Sequence, residues 1–284
     1  MILWYNENIN IRKRSDYMKY KLIAADMDGT LLNSEGKISH KTCDAIKKAV
    51  DMGVVFTVSS GRPIQGILKY GEFLPLNFPA ITYNGAMIVN PNNREILFHK
   101  ALEKDNALKI LKLGEERSVT ICLWCENQLF VNRIDERVNK YKRLSGVEPI
   151  LINSKEALAE KGVTKILWYD EAEKIKSFQE ALQKESFNEV TFCTSKPEFL
   201  EFFNSGVSKA AAMEFLGKLY GIKREEMIAI GDGDNDLAMI EYAGLGISME
   251  NGSEKVKKAA AYITASNDNE GVALAIEKFI LNHI

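Results

Sequence analysis

Histidine is scarce in this sequence. Only His40, His99 and His283 occur in 284 residues, and none sits in a motif. Ser-His-Asp and Cys-His nucleophile systems and histidine-ligated zinc hydrolysis therefore have little support. Cysteine is nearly as rare. Four residues are too few for a disulfide scaffold and suit a reducing compartment. Cys122 and Cys125 form a lone C-x-x-C with no second pair and no nearby histidine. The segment 119–125 reads as a strand, where positions three apart point to opposite faces, so ordinary packing is expected of both thiols. Neither sign of charge dominates: 37 basic and 39 acidic side chains leave a net charge of −2. A chain this balanced has no global field to draw in nucleic acid or an anionic membrane, and neither is expected as a partner. The longest apolar runs, such as Val54–Val58, fall far below the ~18 residues that span a bilayer.

What is present is the composition of a globular protein, 46% apolar and 27% charged, and a length that suggests about two domains. Met1–Tyr17 stands apart. A few apolar residues come first and Arg12-Lys13-Arg14 follows, the reverse of a secretory signal, and Met18 directly precedes the first strong strand. This segment reads as a flexible N-terminal extension, and the cytoplasm is the expected location.

Strands and helices then alternate. Tyr20–Asp26 is a short apolar run that reads as a buried strand. Ser39–Met52 reads as a helix capped by Ser39 and closed by Gly53. Val54–Ser59 and Pro79–Tyr83 are the next strands, with Pro63 suited to a helix start between them. The same pattern resumes with a helix at 208–220, strands at 227–231, 245–248 and 262–264, and a closing helix at 270–281. The arrangement predicts an α/β fold, a Rossmann-like doubly wound parallel-sheet core. Between these stretches the pattern becomes α+β: helix 104–117, strand 119–125, a hairpin to Val131, helix 135–144, strand 163–169, helix 171–185 and strand 189–194. The predicted division is a core of 18–84 and 199–284 with an inserted α+β domain at 85–198.

The chemistry gathers where strands end, which is where open parallel sheets bind ligands. Asp26-Met27-Asp28-Gly29-Thr30 follows the first strand and Gly231-Asp232-Gly233-Asp234-Asn235-Asp236 follows another. The second segment is not a calcium loop: counted from Asp232, position six is Leu237 and position twelve is Ala243. Five acids at one sheet edge repel each other, and a divalent cation removes that cost. Carboxylate and carbonyl ligands beside a phosphate favour Mg²⁺. Ser59-Ser60-Gly61-Arg62, also at a strand end, offers a hydroxyl and backbone N–H groups as an anion seat. Lys209, just after the predicted N-cap Ser208, opposes its helix dipole unless an anion lies close. Together, the acids suit a metal, Ser60, Gly61 and Lys209 suit a phosphate, and Asp26 is placed to attack.

These residues resemble the haloacid dehalogenase superfamily of aspartate-nucleophile phosphohydrolases, specifically the Cof-like members with the larger α/β (type IIB) cap. The likeness covers about residues 19–284. It rests on D-x-D-G-T-L at Asp26–Leu31, hydroxyl-G-R at Ser60-Gly61-Arg62, Lys209, G-D-x-x-N-D at Gly231–Asp236, and Asn84-Gly85-Ala86 where the core passes into the cap. Serine stands in the second motif where threonine is commoner.

The resemblance implies a mechanism. Asp26 would form an aspartyl-phosphate. Asp28 would protonate the leaving oxygen and then deprotonate the attacking water, roles that need a proton near neutral pH. Mg²⁺ would sit on Asp26, the Asp28 backbone carbonyl and Asp232. Ser60, the Gly61 amide, Lys209 and Asn235 would hold the phosphoryl oxygens, and Asp236 would fix Lys209 or a metal-bound water. Arg62 and Asn84 would touch the substrate, Asp234 would be a solvated turn residue, and the insert would act as a lid. Trp124, Tyr141, Trp168 and Tyr169 are expected to pack within the insert. The expected substrate is a small phosphorylated metabolite, a sugar phosphate or phosphorylated cofactor. Phosphomutase-type transfer on the same scaffold and a catalytically idle regulatory relative are the alternatives. The sequence leaves the oligomeric state open.

Overall fold

The computed structural model describes residues 18–283 apart from 184 and 186. The expected extension Met1–Tyr17 lies outside the described residues. In chain order the first elements are β1 (Leu22–Ala25), α1 (His40–Asp51), β2 (Val55–Val58), α2 (Ile64–Leu68), β3 (Ala80–Thr82), β4 (Met87–Val89) and β5 (Ile96–His99). Next come α3 (Lys104–Glu116), β6 (Thr120–Cys125), β7 (Gln128–Val131), α4 (Glu136–Ser145), β8 (Pro149–Leu151), α5 (Lys155–Lys161), β9 (Val163–Tyr169), α6 (Ala172–Leu182), β10 (Val190–Lys196) and β11 (Phe199–Asn204). The chain closes with α7 (Lys209–Tyr220), β12 (Met227–Gly231), α8 (Leu237–Tyr242), β13 (Leu245–Ser248), α9 (Glu254–Ala259), β14 (Tyr262–Ile263) and α10 (Gly271–Phe279). Among the described residues no helix is long and apolar enough to cross a membrane.

Two compact units divide the chain. One runs to Gly61, resumes over Ile67–Leu97 and ends with Ser208 onward; the other holds Arg62–Gly66 and Phe98–Val207. This differs from the expected insert of 85–198 at both ends. β4 and β5 form a small sheet with β3, so the chain after Asn84 stays with the first unit as far as Leu97. β11 pairs antiparallel with both β9 and β10, so residues 199–207 belong to the second.

The first unit is built on a parallel sheet in the order β14-β13-β12-β1-β2. Each residue of β1 and β2 is buried, as a strand covered on both faces requires. The side chain of Ser39 caps α1 by accepting from the Thr42 amide at 3.1 Å. Helices α1 and α10 pack together, and α8 packs between α7 and α9. Register fixes the functional edge. Ala25 lies opposite both Ile230 and Val58, so Asp26, Gly231 and Ser59 leave the sheet side by side. The chain departs from β1 towards β2 on one side, while β12 flanks the other. That reversal of strand order is where doubly wound sheets open a crevice for ligands.

The second unit is a six-stranded mixed sheet ordered β10-β11-β9-β6-β7-β8 among the described residues. One face buries Ile121, Leu123, Ile166, Trp168, Leu200 and Phe202 against α3, α5 and α6. Cys125 lies on this face and its thiol reaches the Leu158 carbonyl at 3.8 Å. Cys122 takes the other face, as the two-residue strand period requires. Trp124, buried with it, donates from Nε1 to the Tyr141 hydroxyl of α4 at 3.0 Å.

The passage out of β3 is tight. Tyr83, Asn84 and Gly85 have φ of 50°, 57° and 102°, a left-handed run that side chains rarely adopt. A Cβ on Gly85 would collide with the Ser208 carbonyl, so only glycine lets this turn lie against the start of α7. Gly85→Ala is expected to destabilise the first unit by about 1–3 kcal/mol, read as a lower urea midpoint. An unchanged midpoint would show that the turn relaxes freely.

Candidate active site

The buried centre of the edge is Lys209. Ser208 accepts from the Ala211 amide at 3.0 Å, which makes Lys209 the first residue of α7. Its side chain is 1% exposed, and its ammonium donates to Asp26 Oδ1 at 2.5 Å, Asp236 Oδ1 at 2.5 Å and the Ser59 carbonyl at 2.8 Å. All three donor positions are filled by groups delivered from three different strand ends. Burial alone would lower the Lys209 pKa, but attraction to Asp26 and Asp236 outweighs it and holds the pKa above the ordinary value.

The acids outnumber that cation. Carboxylate oxygens of Asp26, Asp232 and Asp236 lie within 4.8 Å of one another. Asp236 is further held by its Oδ2, which accepts from the amides of Asp232 and Gly233 at 3.0 Å each. Asp232 accepts from the Thr30 hydroxyl at 2.7 Å. Gly29 has φ of +84°, and a Cβ there would strike the Asp232 carboxylate, so the first-motif turn can approach this closely only as glycine. Burial, with repulsion from Asp236 and Asp232, pushes Asp26 up to about 7 against the pull of Lys209. Burial and the charges of Asp236 and Asp28 raise Asp232 to about 6 against its bond from Thr30. Carboxylates whose charged forms are disfavoured by burial and mutual repulsion, in an all-oxygen setting, fit a hard divalent cation. Asp26 and Asp232 are the better ligands, because both oxygens of Asp236 already accept hydrogen bonds.

The structure brings together most of the residues singled out in the sequence. Asp28 is exposed, two residues beyond buried Asp26. Ser60 is buried at the end of β2, where its amide bonds to the Ile81 carbonyl at 2.9 Å. The Asn84 carboxamide lies over Gly61, with Oδ1 3.1 Å from where a Cβ would stand, and accepts from Asn235 Nδ2 at 3.1 Å. Asn84 thus orients Asn235. Arg62 belongs to the second unit, where its guanidinium reaches the Gly66 carbonyl at 3.5 Å. Asp234 is exposed but not merely solvated, since it accepts from the Ser253 hydroxyl at 2.8 Å. Sequence reasoning gave no role to Thr30 or to the Ser59 carbonyl. Thr30 stood inside the quoted motif, whereas a carbonyl leaves no trace in residue type.

The model of the haloacid dehalogenase-like hydrolases matches residues 23–276. The chain belongs to this family. It is 32% identical over 262 residues to the 5-amino-6-(5-phospho-D-ribitylamino)uracil phosphatase YcsE of Bacillus subtilis, covering 92% of this chain and 96% of that one. The crystal structure of a haloacid dehalogenase-like hydrolase from Bacteroides thetaiotaomicron superposes with a TM-score of 0.81 at 33% identity, over 92% of this chain and 99% of that one. A sugar phosphatase of the family's subclass IIB gives 0.75 at 26% identity, over 91% and 98%. In this haloacid dehalogenase-like hydrolase, Asp26, Asp232, Asp236 and Lys209 meet at one edge of the parallel sheet.

A pH signature follows from the raised carboxylates. Between about pH 4 and 7 the cation-free folded protein binds more protons at Asp26 and Asp232 than the unfolded chain does, so these groups lower its stability as pH rises. In chelator, Asp232→Asn should gain melting temperature relative to wild type between pH 5 and 7.5. Wild type should gain more from added Mg²⁺ at pH 7.5 than at pH 5, and the variant should lose that increment. Equal increments in both proteins, measured by thermal unfolding, would remove Asp232 from the cation site.

Proposed function

We propose that this protein is a Mg²⁺-dependent phosphatase that hydrolyses small phosphorylated metabolites, sugar phosphates or phosphorylated cofactors, through an aspartyl-phosphate on Asp26. The observation that carries this reading is the buried Asp26 carboxylate, held on Lys209 at the end of β1 beside Asp232 and Asp236. Relatives named as phosphatases of a phosphoribitylaminouracil and of sugars support the substrate class.

One Asp26 oxygen attacks phosphorus while the ester oxygen leaves on the opposite side, and the phosphoryl group is transferred to the carboxylate. Asp28, exposed and two residues on, gives its proton to the leaving oxygen. The same carboxylate then takes a proton from the water that releases inorganic phosphate and restores Asp26. The Ser60 hydroxyl, the Gly61 amide and Asn235 hold the phosphoryl oxygens as charge redistributes, and Lys209 joins them by exchanging its bond to Asp26 for one to the phosphoryl group as that carboxylate attacks. Asp236 keeps the Lys209 ammonium in place through its 2.5 Å bond. Asp26, the Asp28 carbonyl and Asp232 would hold Mg²⁺, which supplies charge neutralisation between the anionic nucleophile and the anionic phosphoryl group. We assign choice of leaving group to side chains of the second unit, and substrate contact to Arg62 and Asn84.

The test is release of inorganic phosphate from a panel of phosphorylated metabolites, with and without Mg²⁺. Asp26→Asn should abolish turnover, and Asp28→Asn should lower kcat by about 10²–10⁴-fold, the usual share of a positioned acid–base group. Beryllofluoride should form an adduct at Asp26. Substantial turnover by Asp26→Asn, or an adduct at another residue, would overturn the covalent route. Phosphate returned to a sugar without release would favour a mutase.

A further inference from the structure

Between β13 and α9 the chain forms a loop, Met249-Glu250-Asn251-Gly252-Ser253, that the proposed reaction does not use. It is stitched to both acid-bearing turns. The Met249 amide donates to the Gly231 carbonyl at 3.0 Å, and the Ser253 amide donates to the Asp232 carbonyl at 2.9 Å. The Ser253 hydroxyl donates to Asp234, so three bonds fix the loop to the turn that carries Asp232 and Asp236. Asn251 reaches the other way. Its Nδ2 donates to the Gly29 carbonyl at 2.8 Å, inside the turn that carries Asp26 and Asp28. The Asn251 carboxamide is itself held, because its Oδ1 accepts from the Asn267 amide at 3.0 Å. Asn267 Nδ2 in turn donates to the Leu32 carbonyl at 2.8 Å, beyond the same turn.

We propose that Asn251 is a positioning residue that sets the spacing between the two acid-bearing turns and thereby the cation affinity of the Asp26–Asp232 pair. The chemistry favours this over a general stabilising role. Asn251 is exposed, so its side chain contributes little to core packing. Its one donor bond lands on a backbone carbonyl adjoining the peptide of Asp28. The Asp26 and Asp232 strands are already fixed by sheet register up to Ala25 and Ile230, but the turns beyond them are not paired to each other by any strand. Bridges across the gap include the Lys209 ammonium shared by Asp26 and Asp236, the Thr30–Asp232 bond at 2.7 Å and the Asn251 clamp, the one that reaches the backbone of the first turn from outside the charge cluster. Groups that orient metal ligands without touching the metal typically change affinity or activity by about 10–100-fold. The inference rests on the cation-dependent reading of the site.

The experiment compares wild type, Asn251→Ala and a surface control, Asn269→Ala, whose side chain bonds only to Ser266 Oγ nearby. Mg²⁺ is titrated calorimetrically into each protein without substrate, and kcat and KM are measured on a phosphomonoester that the wild type turns over. For Asn251→Ala we expect the Mg²⁺ Kd to rise and kcat at subsaturating Mg²⁺ to fall by about tenfold, with KM within twofold and part of the kcat loss recovered at high Mg²⁺. The control should match wild type. A Mg²⁺ Kd within twofold of wild type in Asn251→Ala, or an equal loss in Asn269→Ala, would overturn the assignment. If wild type binds Mg²⁺ but hydrolyses no monoester, the phosphatase reading fails while the calorimetric comparison still decides the role of Asn251.

Discussion

The buried Lys209 ammonium is the interaction on which the site depends. It is the only cation bonded to Asp26 and Asp236 among the described residues, and it holds both at 2.5 Å. Its position at the first residue of α7 is unfavourable by itself, since a positive charge at a helix N-terminus costs about 0.3–1 kcal/mol. Breaking a buried ion pair by removing one partner costs about 3–5 kcal/mol. The pairing therefore outweighs the dipole, and the ammonium sits where helix geometry alone would not put it. The Ser59 carbonyl takes the third proton, which leaves Lys209 no freedom to swing towards solvent.

That lysine can collect its partners only because strand register is strict. β1 pairs with β2 and β12 without a shift, so the residues after Ala25, Val58 and Ile230 emerge level with one another. This much was legible in the sequence. Each strand was a short, mostly apolar run ending in Asp, Ser or Gly, and a parallel sheet aligns such ends. The Rossmann-like core, the family and the meeting of Asp26, Lys209, Asp232 and Asp236 could all be read from these runs and the motifs that follow them.

The boundaries of the insert were less legible, for a physical reason. β4, β8 and β11 are short or continue directly from a neighbouring strand, and periodicity over three residues cannot distinguish a strand from a loop. The sequence pattern places residues 199–204 in the core. Pairing of β11 with β9 across more than thirty residues decided otherwise. The same limit hid the supports of the site. Asn84, Thr30 and Asn251 act through single hydrogen bonds to an amide, a carboxylate and a carbonyl, and only the folded arrangement reveals which group each one meets.

The unequal burial of the two first-motif acids separates their tasks. Asp26 is almost completely buried, and its neighbours Asp232 and Asp236 add repulsion that Lys209 only partly offsets, so its carboxyl stands near 7 without a further cation. The proposed attack needs Asp26 ionised, and the missing positive charge is what a divalent ion would bring. Two residues later Asp28 is exposed, as the acid–base role proposed for it requires. The Met27 side chain between them is wholly buried, which anchors the start of the turn before the chain emerges at Asp28. One D-x-D spacing at the end of a buried strand thus places one carboxylate inside the charge cluster and leaves the other exposed, and the acid excess inside suits the cluster to an added cation.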